Sequence, residues 1–477
     1  MACGPVLVRA EKEWMMTGSV SGVAEKTLHP VDQMLPWPRL LTLGVQHVLV
    51  MYANAVAAPL ILGAAMHLDQ AHIAMLINAD LFACGIATLI QTIGFGPFGI
   101  RLPVIMGVTG LCIPPMLAMA ATPGVGLQGI YGAALVGGLF GLAIVPLIGR
   151  MLRFFPALVT GSIIMMIGIS LMRIGINWAA GGVGAADYGS FHHISAAIVV
   201  LLTILLLVRF ARGFLSHVAV MAGLLTGYML TILRGDVDFS GLAAQPWVRV
   251  VAPLQFGMPS FHLIPCLTMC LLVTITFIEA TGMFLALGNV VGKPVSDEDI
   301  RRGLRADGLG TVIGAVFNTF PYVSYSQNVG MVGITGVFSR YVCVTSGVIM
   351  LALGLVPKLA FIVATIPYSV LGGAAFIMFG MVAATGIKIL ATVDYKTEHN
   401  AVLVVALSAG LGVIPLVAPD FFRMLPAEWR PIVADPIVLT AVSAVLLNAF
   451  FSSATRLRQK KAEQRLMAAP FAASEHP

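Results

Sequence analysis

The chain has 477 residues, 58% of them hydrophobic and 10% charged, with 27 Lys and Arg against 21 Asp and Glu for a net charge of +6; its mean hydropathy is +0.95. A soluble domain carries roughly 25% charge, so this composition excludes a water-soluble globular protein and defines an integral membrane protein. The 50 Gly and 27 Pro are scattered through apolar stretches, which excludes a collagen-like or low-complexity chain.

The first forty residues hold Glu11, Lys12, Glu13 and Pro36 with no apolar core ahead of a small-residue cleavage site, so no signal peptide is expected. A helix needs about 20 apolar residues to cross the hydrocarbon, and fourteen runs qualify. They lie near 40–63, 71–94, 103–122, 127–148, 157–175, 193–209, 217–233, 263–288, 300–316, 318–338, 341–357, 364–387, 399–417 and 436–453. With both termini on the cytoplasmic side, inner segments hold 21 of the 27 Lys and Arg and outer segments hold 6, as the positive-inside rule requires. The basic pI of 9.1 therefore reads as topology. The cations lack the aromatic interleaving of a nucleic-acid groove, and no nucleic-acid partner is expected. Six cysteines, Cys3, Cys84, Cys112, Cys266, Cys270 and Cys343, show no metal-type pairing and mostly fall in apolar runs. They read as packing residues.

Two spans are interrupted in mid-membrane by Gly, Pro and polar residues: the third, PVIMGVTGLCIPPM, and the tenth, NTFPYVSYSQNVGMVGITG. A continuous helix tolerates this poorly. They stand seven spans apart, so the chain divides into two seven-span halves, inverted because seven is odd. Inverted repeats with broken helices meeting near the midplane are the build of secondary transporters. The expected fold is an all-α membrane protein of about fourteen spans in two inverted repeats, with short extended segments in spans 3 and 10.

Of the 21 acids, three fall inside predicted spans: Asp80, Glu279 and Asp307. A carboxylate at the bilayer centre costs on the order of 3 kcal/mol, so each must face a cavity or a partner. For Asp80, in LINADLFACG, a structural hydrogen bond is expected; for Asp307, near Arg302 and Arg305, an interfacial ion pair is the alternative to function. His47, beside Gln46 in an apolar span, has no metal-ligand spacing and reads as a site-shaping hydrogen bonder. At the break of span 10, Ser324, Tyr325, Ser326, Gln327 and Asn328 come together. Gln and Asn present an acceptor and two donors in one plane, which complements the edge of a flat heterocycle. A carboxylate could take a ring N–H and Tyr325 could stack on its face.

The stretches QHVLVMYANAVAAPLILG, ADLFACGIATLIQTIG, FIEATGMFLALG and RADGLGTVIGAVFNTFPYVSYSQNVG, from Leu40 to Phe451, resemble the nucleobase-ascorbate transporter family. The resemblance implies a core domain (40–150 and 263–358) and a gate domain (151–262 and 359–453), flanked by cytoplasmic tails at 1–39 and 454–477. It also implies a homodimer and an elevator-like slide of core against gate. Bacterial members are mostly proton symporters of the inner membrane that need no cofactor beyond the proton gradient. Carried over, Glu279 is the substrate-binding carboxylate and Gln327 the glutamine that bonds the base. Asp307, with Glu279, serves proton coupling. His47 and Asn328 shape the site, and Thr109 tunes which purine is accepted. The run Gln327-Asn328-Val329-Gly330 looks like that of bacterial urate and xanthine permeases, with Val329 where many relatives have a second Asn. Gly110 departs from the Phe usual after Thr109 and removes a ring from beside the substrate. The implied activity is proton-coupled import of oxidised purines, uric acid before xanthine. Rival readings are a uracil or other nucleobase carrier, an anion exchanger of the same fold, a passive pore, and a membrane metalloenzyme using His47, Glu279 and Asp307. The last lacks any HExxH or paired-His spacing.

Overall fold

The structure, a computed structural model, describes residues 29–120, 122–148, 156–212, 215, 218–325, 331–333, 335–395, 400–425, 433 and 435–451, without the side chains of 53 and 54. In the first half the chain forms α1 (Trp37–Ala65), α2 (Gln70–Ile93), a short strand β1 (Met106–Val108), α3 (Ile113–Ala120), α4 (Gly126–Ile144), α5 (Ala157–Ala179), α6 (Phe191–Phe210) and α7 (Ala219–Arg234). The second half forms α8 (Leu263–Val291), α9 (Asp297–Val316), β2 (Tyr322–Ser324), α10 (Arg340–Gly354), α11 (Pro357–Ala364), α12 (Tyr368–Leu390) and α13 (Ala401–Val417), followed by α14 (Pro436–Phe451). Among the described residues seven helices are long and apolar enough to cross a membrane: α1, α2, α4, α5, α6, α8 and α12. Both predicted breaks contain a three-residue strand, and the two strands pair antiparallel with Met106 opposite Ser324, Gly107 opposite Val323 and Val108 opposite Tyr322.

Local chemistry sets the helix ends. Asp69 caps α2 by accepting the His72 amide at 2.8 Å, and that bond holds its carboxyl below the usual carboxylate range; the helix stops at Gly94, φ +69°, a conformation that Gly adopts without steric cost. Ser296 caps α9 in a reciprocal box with Asp299, and Asp297, Glu298 and Asp299 in the first turn complement the helix dipole. Sequence reading ends span 11 at 357, whereas the structure ends α10 at Gly354 and turns 80° into α11. Pro357 opens α11, where its missing N–H is tolerated, and it restricts the residue before it.

Packing repeats itself under exchange of the two halves. α2 lies on α10 as α9 lies on α4; α1 lies on α10 as α8 lies on α4; and α5 lies on α13 as α12 lies on α6. The pairs α2 with α9, α5 with α12 and β1 with β2 map onto themselves. Such pairing follows from an inverted repeat. Close crossings use small residues: a Cβ on Gly372 would lie 2.1 Å from the Ala179 nitrogen, and one on Gly386 would lie 2.2 Å from that of Met165, so α5 and α12 touch backbone to backbone. At the N-terminal end Val31 is fully buried, Asp32 pairs with Arg340 at 2.8 Å and Lys293 at 3.6 Å, and the Ser339 hydroxyl donates to the Gln33 carbonyl at 2.6 Å. This segment ties α8 to α10 across the repeat. Cys84, Cys112, Cys266 and Cys270 are unlinked thiols, and Cys84, Cys112 and Cys343 are buried in apolar packing, as read from the sequence.

Candidate functional site

Where β1 and β2 meet, the chain has left helical geometry in the middle of the molecule, and its backbone groups are satisfied locally. The Met106 amide donates to Thr88 Oγ1 of α2 at 3.0 Å, the Tyr322 amide to Thr311 Oγ1 of α9 at 3.2 Å, the Tyr325 amide to the Ile105 carbonyl at 2.9 Å and the Thr109 amide to the Pro321 carbonyl at 3.1 Å. Thr109 then caps the turn Gly110–Cys112 that leads into α3: its Oγ1 accepts the Leu111 amide at 3.3 Å. Gly107 is required here, because a Cβ would lie 2.8 Å from the Tyr325 ring.

Beside the strands lies a cavity of about 470 Å³, within the range for small-molecule sites. One wall is Val108, Thr109, Gly110, Val323, Ser324 and Tyr325 with Glu279 of α8; the other is Ile164 and Leu171 of α5, Met221 of α7, and Met378, Met381, Val382 and Thr385 of α12. The first wall concentrates hydroxyls and a carboxylate. The second is apolar apart from Thr385, whose hydroxyl is engaged with the Met381 carbonyl at 2.9 Å. A Cβ at Gly110 would meet nothing within 4 Å, so the missing ring leaves open space in the cavity.

Thr109, Gly110, Glu279 and Tyr325, named from the sequence, therefore share one wall. His47 is buried on α1, two and three residues from the lining side chains Leu49 and Val50, and stands outside the lining itself. Gln327, Asn328 and Val329 lie outside the described residues. Asp307 lies behind the wall, fully buried. Its Oδ1 accepts the Ser324 hydroxyl at 2.8 Å and the Gln91 amide at 2.9 Å, and its Oδ2 has no hydrogen-bond partner among the described residues. The interfacial pairing with Arg302 or Arg305 does not form. Arg302 donates to the Gly96 carbonyl, and Arg305 pairs with Glu298 at 3.0 Å. Asp80 makes the structural hydrogen bonds expected of it, to Thr319 at 2.7 Å and Tyr322 at 2.8 Å.

Sequence reasoning missed Gln91. This fully buried amide donates to Asp307, to Ser324 Oγ at 2.7 Å and to the Gly303 carbonyl at 3.1 Å, while its Oε1 accepts the Ile100 amide at 3.1 Å. The signal was present: an amide in an apolar span, three helical turns after Asp80 and on its face. The apolar wall was also missed, because residues on α5, α7 and α12 carry no chemistry that distinguishes them from lipid-facing ones. Among the described residues no three His, Cys, Asp and Glu side chains converge as a metal set.

A hydroxyl-and-carboxylate wall built on paired strands, facing an apolar wall inside a helical membrane protein, defines a multi-pass solute transporter. Solved structures agree on the fold. The transmembrane domain of the cyanobacterial bicarbonate transporter BicA superposes with a TM-score of 0.54 at 17% identity, covering 87% of this chain and 99% of that one; murine Slc26a9, an anion transporter in its inward-facing state, gives 0.56 at 12%, covering 92% and 74%. A permease family model matches residues 38–421. The uric acid transporter UacT of Escherichia coli strain K12 is 50% identical over 423 residues, 88% of each chain, and the xanthine permease of Bacillus subtilis strain 168 is 40% identical over 432 residues, 90% of this chain and 98% of the relative. The chain belongs to this permease family, the nucleobase-ascorbate transporters.

Proposed function

We propose that the protein is a proton-coupled symporter that imports oxidised purines, uric acid first and xanthine second, across a bacterial inner membrane. The observation that carries this reading is Ser324, a residue of the cavity wall whose hydroxyl donates to Asp307 behind that wall. One residue thereby joins the substrate space to a buried acid. Asp307 is buried on two donors and belongs to no ion pair among the described residues, so in this reading it is the group that takes up the coupled proton and releases it as its surroundings change. Glu279 offers an acceptor for a ring N–H, Thr109 a hydroxyl, and Tyr325 an aromatic face. In this reading Gln327 bonds the heterocycle edge with Val329 beside it, and His47 and Asn328 shape the site.

The apolar wall suits an elevator motion. A substrate bound to the core breaks no strong hydrogen bonds when it slides past Leu171, Met378 and Met381. In this scheme residues 40–150 and 263–358 form the moving core and residues 151–262 and 359–453 the gate, with both tails cytoplasmic and two copies assembled as a dimer. Homologues named as uric acid and xanthine permeases support the substrate class. Glu279 in the cavity opposes a simple anion exchanger, because a carboxylate repels an anionic substrate unless a cation is bound with it.

Uptake of radiolabelled urate, xanthine and uracil into expressing cells, with and without a protonophore, tests the reading. Protonophore-sensitive accumulation of urate or xanthine is expected. Uptake of uracil alone, or uptake indifferent to the gradient, would overturn it.

A further inference from the structure

A second buried acid, Asp80, has no part in the transport scheme above, and it holds the same strand as Asp307. Tyr322 and Ser324 are two residues apart on β2, so their side chains leave the same face of the strand, while Val323 between them lines the cavity. Ser324 reaches Asp307 of α9. Tyr322 reaches Asp80 of α2, its hydroxyl lying 2.8 Å from Oδ1 and 3.1 Å from the Asp80 carbonyl. Thr319 adds a hydroxyl at 2.7 Å from the same Oδ1, and the two hydroxyls are 2.8 Å apart. Asp80 is fully buried, belongs to no ion pair among the described residues, and its Oδ2 has no hydrogen-bond partner. Burying such a group is unfavourable unless it gains something specific. What it gains here is two donors from the chain that enters β2.

We propose that Asp80 is a positioning residue for substrate binding: by accepting the Tyr322 and Thr319 hydroxyls it fixes the entry of β2, and so sets where Val323, Ser324 and Tyr325 meet the substrate. β2 is thus strung between one acid from each half of the repeat. Removing either acid frees one end of the strand. Asp80 touches neither the cavity nor Asp307 and acts through Tyr322. The inference rests on the proposed purine transport only for its kinetic readout.

The test uses the full chain in proteoliposomes, with monodisperse elution in detergent as the check of folding. Tyr322→Phe removes a single hydroxyl, and Asp80→Leu removes the carboxylate acceptor while leaving the backbone carbonyl. Each is expected to raise the KM for xanthine or urate by about tenfold, the worth of one buried hydrogen bond, with maximal rate within about twofold. The two effects should combine less than multiplicatively, because both variants delete the Tyr322 bond to Oδ1. Asp80→Asn keeps an acceptor oxygen and should restore KM to within about twofold of wild type. Amide hydrogen exchange across residues 319–325 reports the strand whatever the substrate and should quicken in Tyr322→Phe and Asp80→Leu but not in Asp80→Asn. Folded Tyr322→Phe protein with unchanged KM and unchanged exchange would overturn the inference, as would multiplicative effects in the double variant. A wild type that carries no purine would overturn the functional reading instead, and exchange across 319–325 would still decide the role of Asp80.

Discussion

β1 and β2 have the same length, pair with each other and occupy equivalent places in the two halves, yet they are held in different ways. β1 is Met106, Gly107 and Val108, fixed to α2 by one backbone amide on the Thr88 hydroxyl. β2 is Tyr322, Val323 and Ser324, fixed to α9 through the Thr311 hydroxyl and then, by side chains, to Asp80 and Asp307. Backbone geometry is therefore shared by the repeat, while the side-chain bonds to buried acids, one acid from each half, are made by β2. Two strands equivalent in the backbone thus differ in the chemistry behind them.

Substitutions can break this contrast, the largest effect falling on the β2 side. Asp307→Asn removes the group proposed to carry the proton, and uphill purine accumulation should drop by about a hundredfold or more; a variant that still concentrates substrate would assign coupling elsewhere. Next comes Gln91→Leu, which strips donors from Asp307, Ser324 and the Gly303 carbonyl together. It should lower unfolding stability by about 1–3 kcal/mol and depress uptake, read by thermal unfolding alongside transport.

The β1 side supplies the smaller effects. Gly107→Ala pushes a methyl against the Tyr325 ring; it should weaken substrate binding by about tenfold through overpacking, measurable as KM, while Gly110→Ala in open space should leave KM unchanged. Gly110→Phe fills that space and should shift the ratio of urate to xanthine uptake by about tenfold or less. Smallest is Thr88→Val, which unpairs the Met106 amide and should cost about 1 kcal/mol of stability without moving KM. A KM effect from Thr88→Val as large as that from Tyr322→Phe would erase the difference between the strands.

Much of this arrangement was legible in the chain. The break at PVIMGVTG and the break at FPYVSYSQ both become strands because Pro and Gly interrupt a helix where apolar composition still demands membrane burial. Glu279 and Tyr325 were found by polarity out of place, Thr109 and Gly110 through the family resemblance, and all four line one wall. Gln91 escaped because an uncharged amide is a weak signal, and its worth depends on what lies across from it. The 80° turn at Gly354 was read through, since composition continues unchanged across it while Pro357 alters only the backbone.

Sequence by itself determined the class of protein, the positions of its helices, the inverted halves and the carboxylates that had to be accounted for. These follow from local quantities: hydropathy, the period of apolar residues and the conformational limits of Gly and Pro. Tertiary structure decided what each acid meets. Asp80 stands in an apolar stretch and Asp307 follows Arg301, Arg302 and Arg305, yet both are fully buried against β2, one on Tyr322 and the other on Ser324 of the cavity wall. The same holds for the apolar wall, where Met378 and Leu171 differ from lipid-facing neighbours only in facing Glu279 and the strands across a gap. Partners brought together from distant parts of the chain fix such roles, and no local property of the sequence encodes them.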